Sequence, residues 1–251
     1  GDKQYVLRIT DQDGQGTKRD IPIGESKLGW EPVWSPDGKY IAFNDDDVRI
    51  RVIDIESEAI QTIGVGGNNL ERGYLGLTWS PDSKWLAYSK SSETGFQRVF
   101  LWSMEQNKTM AVTNEMAHSL SPAWDASGKY LYFIASTDLA LSSGWANTSA
   151  MGSNPTFTPY LINLRKVDPS PFEPRSDEEE VKEENKEEKK EESDSVYVDL
   201  EGIAMRTIAL PMPSGKSYAW AKAGPKGSVF IAERIADKPG YAVHKFNISK
   251  R

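Results

Sequence analysis

The chain has 251 residues, 38% hydrophobic and 10% aromatic, with no cysteine and a formal net charge of −7. That is enough apolar material for one folded core, and all-β domains often run to this length. The composition excludes disulfides, thiolate zinc sites and a cysteine nucleophile, contains no apolar run long enough for a membrane span, and offers no basic face to nucleic acid.

From the amino end, residues 5–9 (YVLRI) and 17–23 (TKRDIPI) read as the last two strands of a blade whose first half is absent, so 1–29 is a partial unit. The phrase VWSPDGKYIAF at 33–43 then sets a pattern. Pro36 presets φ for the first central position of a tight turn, and Asp37 and Gly38 supply side-chain capping and a positive φ. Tyr40, Ile41, Ala42 and Phe43 form a short strand of β formers. Trp34 ends the strand before the turn, so the phrase is a β-hairpin with an aromatic anchor. Residues 48–55 (VRIRVIDI) and 59–65 (AIQTIGV), joined at Glu56-Ser57-Glu58, add two strands and complete a unit at 30–66.

The phrase returns as LTWSPDSKWLAY at 77–88, followed by strands at 99–104 and 109–113, in a unit at 74–116. It returns again as PAWDASGKYLYF at 122–133. Trp34, Trp79 and Trp124 are thus 45 residues apart, twice over. A period of about 40–45 residues built from four short strands marks β-propeller blades, and no such unit buries both its faces alone. The predicted fold class is all-β, a β-propeller segment of about four blades of four-stranded antiparallel sheets.

The third unit, 118–213, is interrupted twice. Its first insertion, 140–155, is rich in Gly, Ser and Asn. The second, 168–195, opens on prolines and continues into 177–192, where ten acids and four lysines make a charge of −6. Such blocks are solvated, with Glu178 and Lys182 at helical pairing distance. Segments 157–164, 196–200 (VYVDL) and 206–210 are read as the strands that finish this unit. The last unit, 214–251, is partial. It starts at Tyr218-Ala219-Trp220, continues through 229–232 and 241–248, and lacks its outermost strand. A start at Gly1 without Met and a stop at Arg251 read as an excised segment.

WSPDGKYIAF and WSPDSKWLAY are shared by several propellers: TolB-like proteins, prolyl-oligopeptidase relatives and tricorn-type proteases. The third unit is more particular. FIASTDLALSSGWANTSAMGSNPTFTPYLINL, then DPSPFEPRSDEE, then VYVDLEGIAMRTIALPMPSG resembles the second, larger propeller of bacterial tricorn-like proteases, and the resemblance covers nearly the whole chain. It implies a large multidomain serine endopeptidase with two propellers, a PDZ-like module and a catalytic domain, often in a multi-subunit assembly. The larger propeller would channel peptides toward the active site. None of that family's catalytic machinery is matched here, so no catalytic residue carries over, and the family's ring has seven blades. The expected function is a non-catalytic segment that guides or gates peptide access and supports assembly. The alternatives are a TolB-like periplasmic interaction propeller and the gating propeller of a prolyl-oligopeptidase-like enzyme. Expected partners are peptide substrates, other domains or subunits of a protease assembly, and further copies of the chain through exposed strand edges. No cofactor is implied, and the periplasm is favoured over the cytoplasm.

Each candidate site has a plainer reading. Trp34, Trp79 and Trp124 occupy a fixed place in every unit, which suits packing between blades better than ligand binding. Asp45-Asp46-Asp47 lacks the Gly and distal Glu of a calcium loop and reads as a solvated hairpin tip. GVGGNN at 64–69 lacks the Lys-Ser/Thr of a phosphate loop. The two histidines, His118 and His244, have no Gly-x-Ser-x-Gly partner in the sequence. The first strand of each propeller blade faces the central channel, which makes Lys27, Trp30, Glu31, Arg72, Tyr74 and His118 the candidate channel-lining residues.

Overall fold

The computed structural model describes residues 5–67, 71–138, 155–173, 195–236 and 238–250. Most of the predicted insertions, the Glu178–Lys182 pair and the end of the 64–69 stretch lie outside the described residues. Strands β1 (Val6–Ile9) and β2 (Arg19–Pro22) form a two-stranded sheet. A four-stranded sheet follows in chain order: β3 (Gly29–Trp34), β4 (Tyr40–Asp45), β5 (Arg49–Asp54) and β6 (Ile60–Val65). The next is β7 (Thr78–Trp79), β8 (Trp85–Ser91), β9 (Gln97–Ser103) and β10 (Lys108–Ala111). The third is β11 (His118–Trp124), β12 (Tyr130–Ser136), β13 (Thr158–Asn163) and β14 (Thr207–Ala209), with a 3-10 turn at Ile203–Arg206. A three-stranded sheet closes the series: β15 (Tyr218–Ala223), β16 (Ser228–Arg234) and β17 (Tyr241–Asn247). Every strand pairing is antiparallel and joins sequence neighbours. The all-β propeller class is therefore what the chain adopts.

The repeated turn works through its serine. Ser35 Oγ accepts the Tyr40 N–H (2.9 Å) and donates to Asp37 Oδ1 (2.6 Å). Ser80 does the same with Trp85 N–H (2.9 Å) and Asp82 Oδ1 (2.5 Å). Gly38 takes the left-handed position at φ 71°, and Ser83 takes it in the next unit at φ 62° without being glycine. Its hydroxyl accepts the Asp37 N–H of the preceding sheet at 3.0 Å, an interaction glycine would lose.

The sheets face one another, and alternation sends each central strand's side chains both ways. Leu86 and Tyr88 of β8 pack against Ala42, Ile50 and Val52 of the first four-stranded sheet. Trp85 and Ala87 of the same strand pack against Leu131 and Phe133 of the third. Tyr132 and Ile134 turn the other way, onto Val229 and Ile231 of the last sheet. Burial on both faces is why these strands read as continuous apolar runs.

The repeated tryptophan closes each joint. Trp79 Nε1 donates to Val33 O of the preceding sheet (3.2 Å), and Trp124 Nε1 donates to Thr78 O (3.1 Å), in both cases to the residue before the preceding tryptophan. Both rings are buried, but Trp34 is 47% exposed; among the described residues the sheet before it is the two-stranded β1-β2. In the last sheet the position of the repeated tryptophan is held by Ala223 and not by Trp220. Trp220 pairs with Ala232, whereas Ala223 pairs with Val229 beside the turn, as Trp124 pairs with Leu131.

Two further expectations are corrected. Segment 196–200 is not a strand. Val196 N–H donates to Asp82 Oδ2 of the second sheet (2.7 Å), and Arg206 binds the carbonyls of Asn163, Leu164, Asp199 and Glu201, so side chains satisfy groups that a ladder would have used. Asp45 is not part of a solvated tip. It is fully buried, and its Oδ2 meets Ser26 Oγ (2.7 Å), Arg49 Nε (2.7 Å) and Arg51 Nη1 (3.2 Å).

Candidate functional site

The first strands of neighbouring sheets touch: β3 with β7, β7 with β11, and β11 with β15. At this inner edge the backbone repeats a distortion. Glu31, Gly76 and Ser121 each lie three residues before the repeated tryptophan, and each has a left-handed φ, at 51°, 65° and 55°. The pairing of β3 with β4 shifts register between Trp30 and Val33, and that of β11 with β12 between Leu120 and Ala123. Bulges of this kind re-aim a side chain. The left-handed conformation is strained for Glu31 and Ser121 but free for Gly76.

Contacts along the edge offset this strain. Glu31 Oε2 accepts the Leu75 N–H (2.9 Å) and Oε1 the Gly76 N–H (3.2 Å), tying the first four-stranded sheet to the second. Ser121 Oγ accepts the Ala221 N–H and donates to Ala221 O, both at 3.0 Å, tying the third sheet to the last. Burial pushes the Glu31 carboxyl above its ordinary pKa, while the two backbone N–H groups and the charge of Lys222 pull the other way. The Arg72 guanidinium lies over the Trp30 ring, 5.9 Å from its centroid. The buried Asn44 amide, oriented by its partners, donates to Trp30 O (3.1 Å) and accepts from Gly73 N–H (3.2 Å). Tyr74 is 77% exposed beside this group.

Of the six candidates, Trp30 and Arg72 thus meet, with Glu31 next to Trp30 on β3 and Tyr74 two residues after Arg72. Lys27 does not join them: its backbone N–H donates to Asp46 Oδ1 (2.7 Å). His118 also stands apart, its ring between Phe96 and Phe157 and its Nδ1 accepting from Gln97 N–H (3.2 Å). Burial holds its pKa below the ordinary imidazole value. Sequence reasoning missed Gly76, Ser121 and Lys222. The first two carry a visible signal, since positions 31, 76 and 121 share the 45-residue spacing of the tryptophans. Lys222 carries none.

The other histidine does meet an acid. His244 Nε2 is 2.8 Å from Glu233 Oε2, and Lys216 Nζ is 3.2 Å from Glu233 Oε1. The His244 bond and then the Lys216 contact hold the Glu233 carboxyl below its ordinary pKa. Among the described residues no serine hydroxyl bonds to either histidine, and no group of three His, Asp or Glu is placed to hold a metal ion.

A family model described as the tricorn protease second beta propeller domain matches residues 2–247. The chain is 25% identical to Tricorn protease homolog 1 of Streptomyces coelicolor over 91% of its own length, and spans 22% of that protein. It is 30% identical to the Tricorn protease of Thermoplasma volcanium over 70% of its length, spanning 18% of that relative. The crystal structure of the tricorn protease superposes on 98% of this chain and 24% of its own, with a TM-score of 0.69 and 21% identity. TolB from Acinetobacter baumannii covers 98% of this chain and 47% of its own at a TM-score of 0.54 and 16% identity. At these identities the two structures show the propeller fold alone.

Proposed function

The chain belongs to the family of tricorn protease second β-propeller domains, and from that premise we propose that it is a non-catalytic segment of a tricorn-like serine endopeptidase that guides peptides along its inner edge. We take 1–251 as one propeller segment, with its first strands facing the channel. The observation that carries this reading is the convergence of those strands with a mixed set of groups on them and on the connections that lead into them. Glu31 and Lys222 bring opposite charges, Arg72 on Trp30 a cation over an aromatic face, and Tyr74 an exposed ring. Such a set suits weak, sequence-tolerant contact with an extended peptide. The edge ties made by Glu31 and Ser121 join neighbouring sheets of the chain, which supports treating it as one propeller segment.

The test belongs to the parent protease. Tyr74→Ala with Arg72→Ala should lower kcat/KM for peptides of about ten residues or more by roughly three- to tenfold, a loss of about 1 kcal/mol. Turnover of a two- or three-residue chromogenic substrate should stay within a factor of two. Equal losses on both substrates would mean that these side chains support folding and do not steer peptides.

A further inference from the structure

The joint between the second and third four-stranded sheets is incompletely filled. A cavity of about 320 Å³ remains where β10 ends at Ala111 and the chain leaves through 112–117 toward β11. One wall is an aromatic pair, Phe133 and Tyr160, with ring centroids 5.6 Å apart and planes inclined by 22°. Met116 and Ala117 stand on the exit segment opposite, and Ala135 on β12 adds a further apolar lining residue. The volume is at the small end of ligand pockets, which run from about 300 to 1,000 Å³.

The chemistry of the lining is specific. None of the described residues around the cavity is charged. Several of its polar atoms are already engaged. Thr113 Oγ1 accepts the Val99 N–H (3.0 Å), Thr113 O accepts from the Arg98 guanidinium (2.7 and 3.1 Å), and Asn114 Oδ1 accepts the Met116 N–H (2.7 Å). The Tyr160, Thr137 and Thr207 hydroxyls and the Asn114 amide nitrogen have no protein hydrogen bond among the described residues. A charged ligand group would meet no charged side chain among these lining residues to offset the water it gives up. An apolar ring would meet the Phe133–Tyr160 pair and the Met116 thioether, both good partners for aromatic groups.

We propose that this cavity binds one uncharged apolar side chain of a peptide, preferably aromatic, with the peptide's own amide groups meeting Tyr160 and Asn114. The class of ligand rests on the peptide-guiding reading; the site itself does not, since it lies between two sheets and shares no residue with the inner-edge group.

The experiment uses the 251-residue chain, nitrogen-15 labelled at every backbone amide and carbon-13 labelled at alanine and methionine methyls, and capped tripeptides with Phe, Lys or Glu between two alanines. The Phe peptide should shift the Ala117, Ala135 and Met116 methyl signals saturably. Ala117→Phe, which fills the cavity from its rim, should weaken that binding at least about tenfold. Thr137→Leu, at an exposed lining position that tolerates change, should do the same if Ala117→Phe fails to fold. The Lys and Glu peptides should bind at least about tenfold more weakly than the Phe peptide. Unmoved methyls, equal binding of the charged peptides, or unchanged affinity in a folded filled variant would each overturn the site. Shifts at Tyr74 and Trp30 with silent cavity methyls would also overturn it while leaving the channel reading intact. Saturable cavity shifts combined with equal losses in the two-substrate assay above would support the pocket and sink the channel reading.

Discussion

The Glu31 carboxylate and the His118 imidazole are both partly withdrawn from water, and the same cause moves them in opposite directions. Burial raises the pKa of Glu31, so the native state holds that proton more tightly than the unfolded chain does. Its contribution to stability therefore falls as pH rises from the ordinary carboxylate value through the raised one. Burial lowers the pKa of His118, so its contribution is complete above the ordinary imidazole value and is lost as pH falls through the depressed one. Glu31→Gln, which keeps an acceptor for one of the two N–H groups, should flatten the decline in melting temperature above about pH 4.5, while His118→Phe should flatten the decline below about pH 6.5. Melting curves across that range separate the two. Asp45 is a different case: the Ser26 hydroxyl and Arg49 overcome burial and hold its carboxyl below the ordinary range. Asp45→Asn leaves Arg51 buried without its counterion and should cost about 3–5 kcal/mol in urea unfolding. Nothing in Asp45-Asp46-Asp47 says which acid turns inward. The answer depends on Ser26, which arrives from the preceding connection, and on Arg51 across the hairpin.

At the scale of the element, one motif has two energetic meanings. Trp124 is buried and hydrogen-bonded to the preceding sheet, whereas Trp34 is 47% exposed. Trp124→Ala should therefore cost about 3–5 kcal/mol, and Trp34→Ala under about 1 kcal/mol. Equal losses in denaturant unfolding would show that Trp34 is covered in solution. The hairpins themselves were legible, because Ser-Pro-Asp-Gly dictates a turn whatever surrounds it. Segment 196–200 was misread because Val-Tyr-Val alternates like a strand. Its groups are taken instead by Asp82 from another sheet and by Leu164 and Lys166, none of which is near it in sequence.

For the whole molecule, the first two strands and the last three are separate sheets, and among the described residues no ladder joins them. The final sheet also leaves Tyr241 and Val243 about half exposed on β17, whose outer edge has no strand partner among the described residues. Unpaired edges favour association. Light scattering of the chain should accordingly show a mean mass that rises with concentration, and Val243→Lys should suppress the rise, since a charge at an edge opposes strand addition. A mass independent of concentration, at the value of one chain, would count against open edges.

The sequence by itself determined the repeat: its period, its turns, its apolar central strands and the family they belong to. These follow from local rules, because turn chemistry and alternation act within a few residues and recur in each unit. It also named Lys27, Trp30, Glu31, Arg72, Tyr74 and His118 as candidates, from their place in the segments that precede the tryptophans. Only the tertiary structure decided that Asp45 is buried, that Trp34 is bare, that Lys222 acts on Glu31 from another sheet, and that a cavity remains between the second and third sheets. Each of these depends on what a neighbouring sheet brings to the joint, and contacts made across sheets leave no periodic trace in one chain.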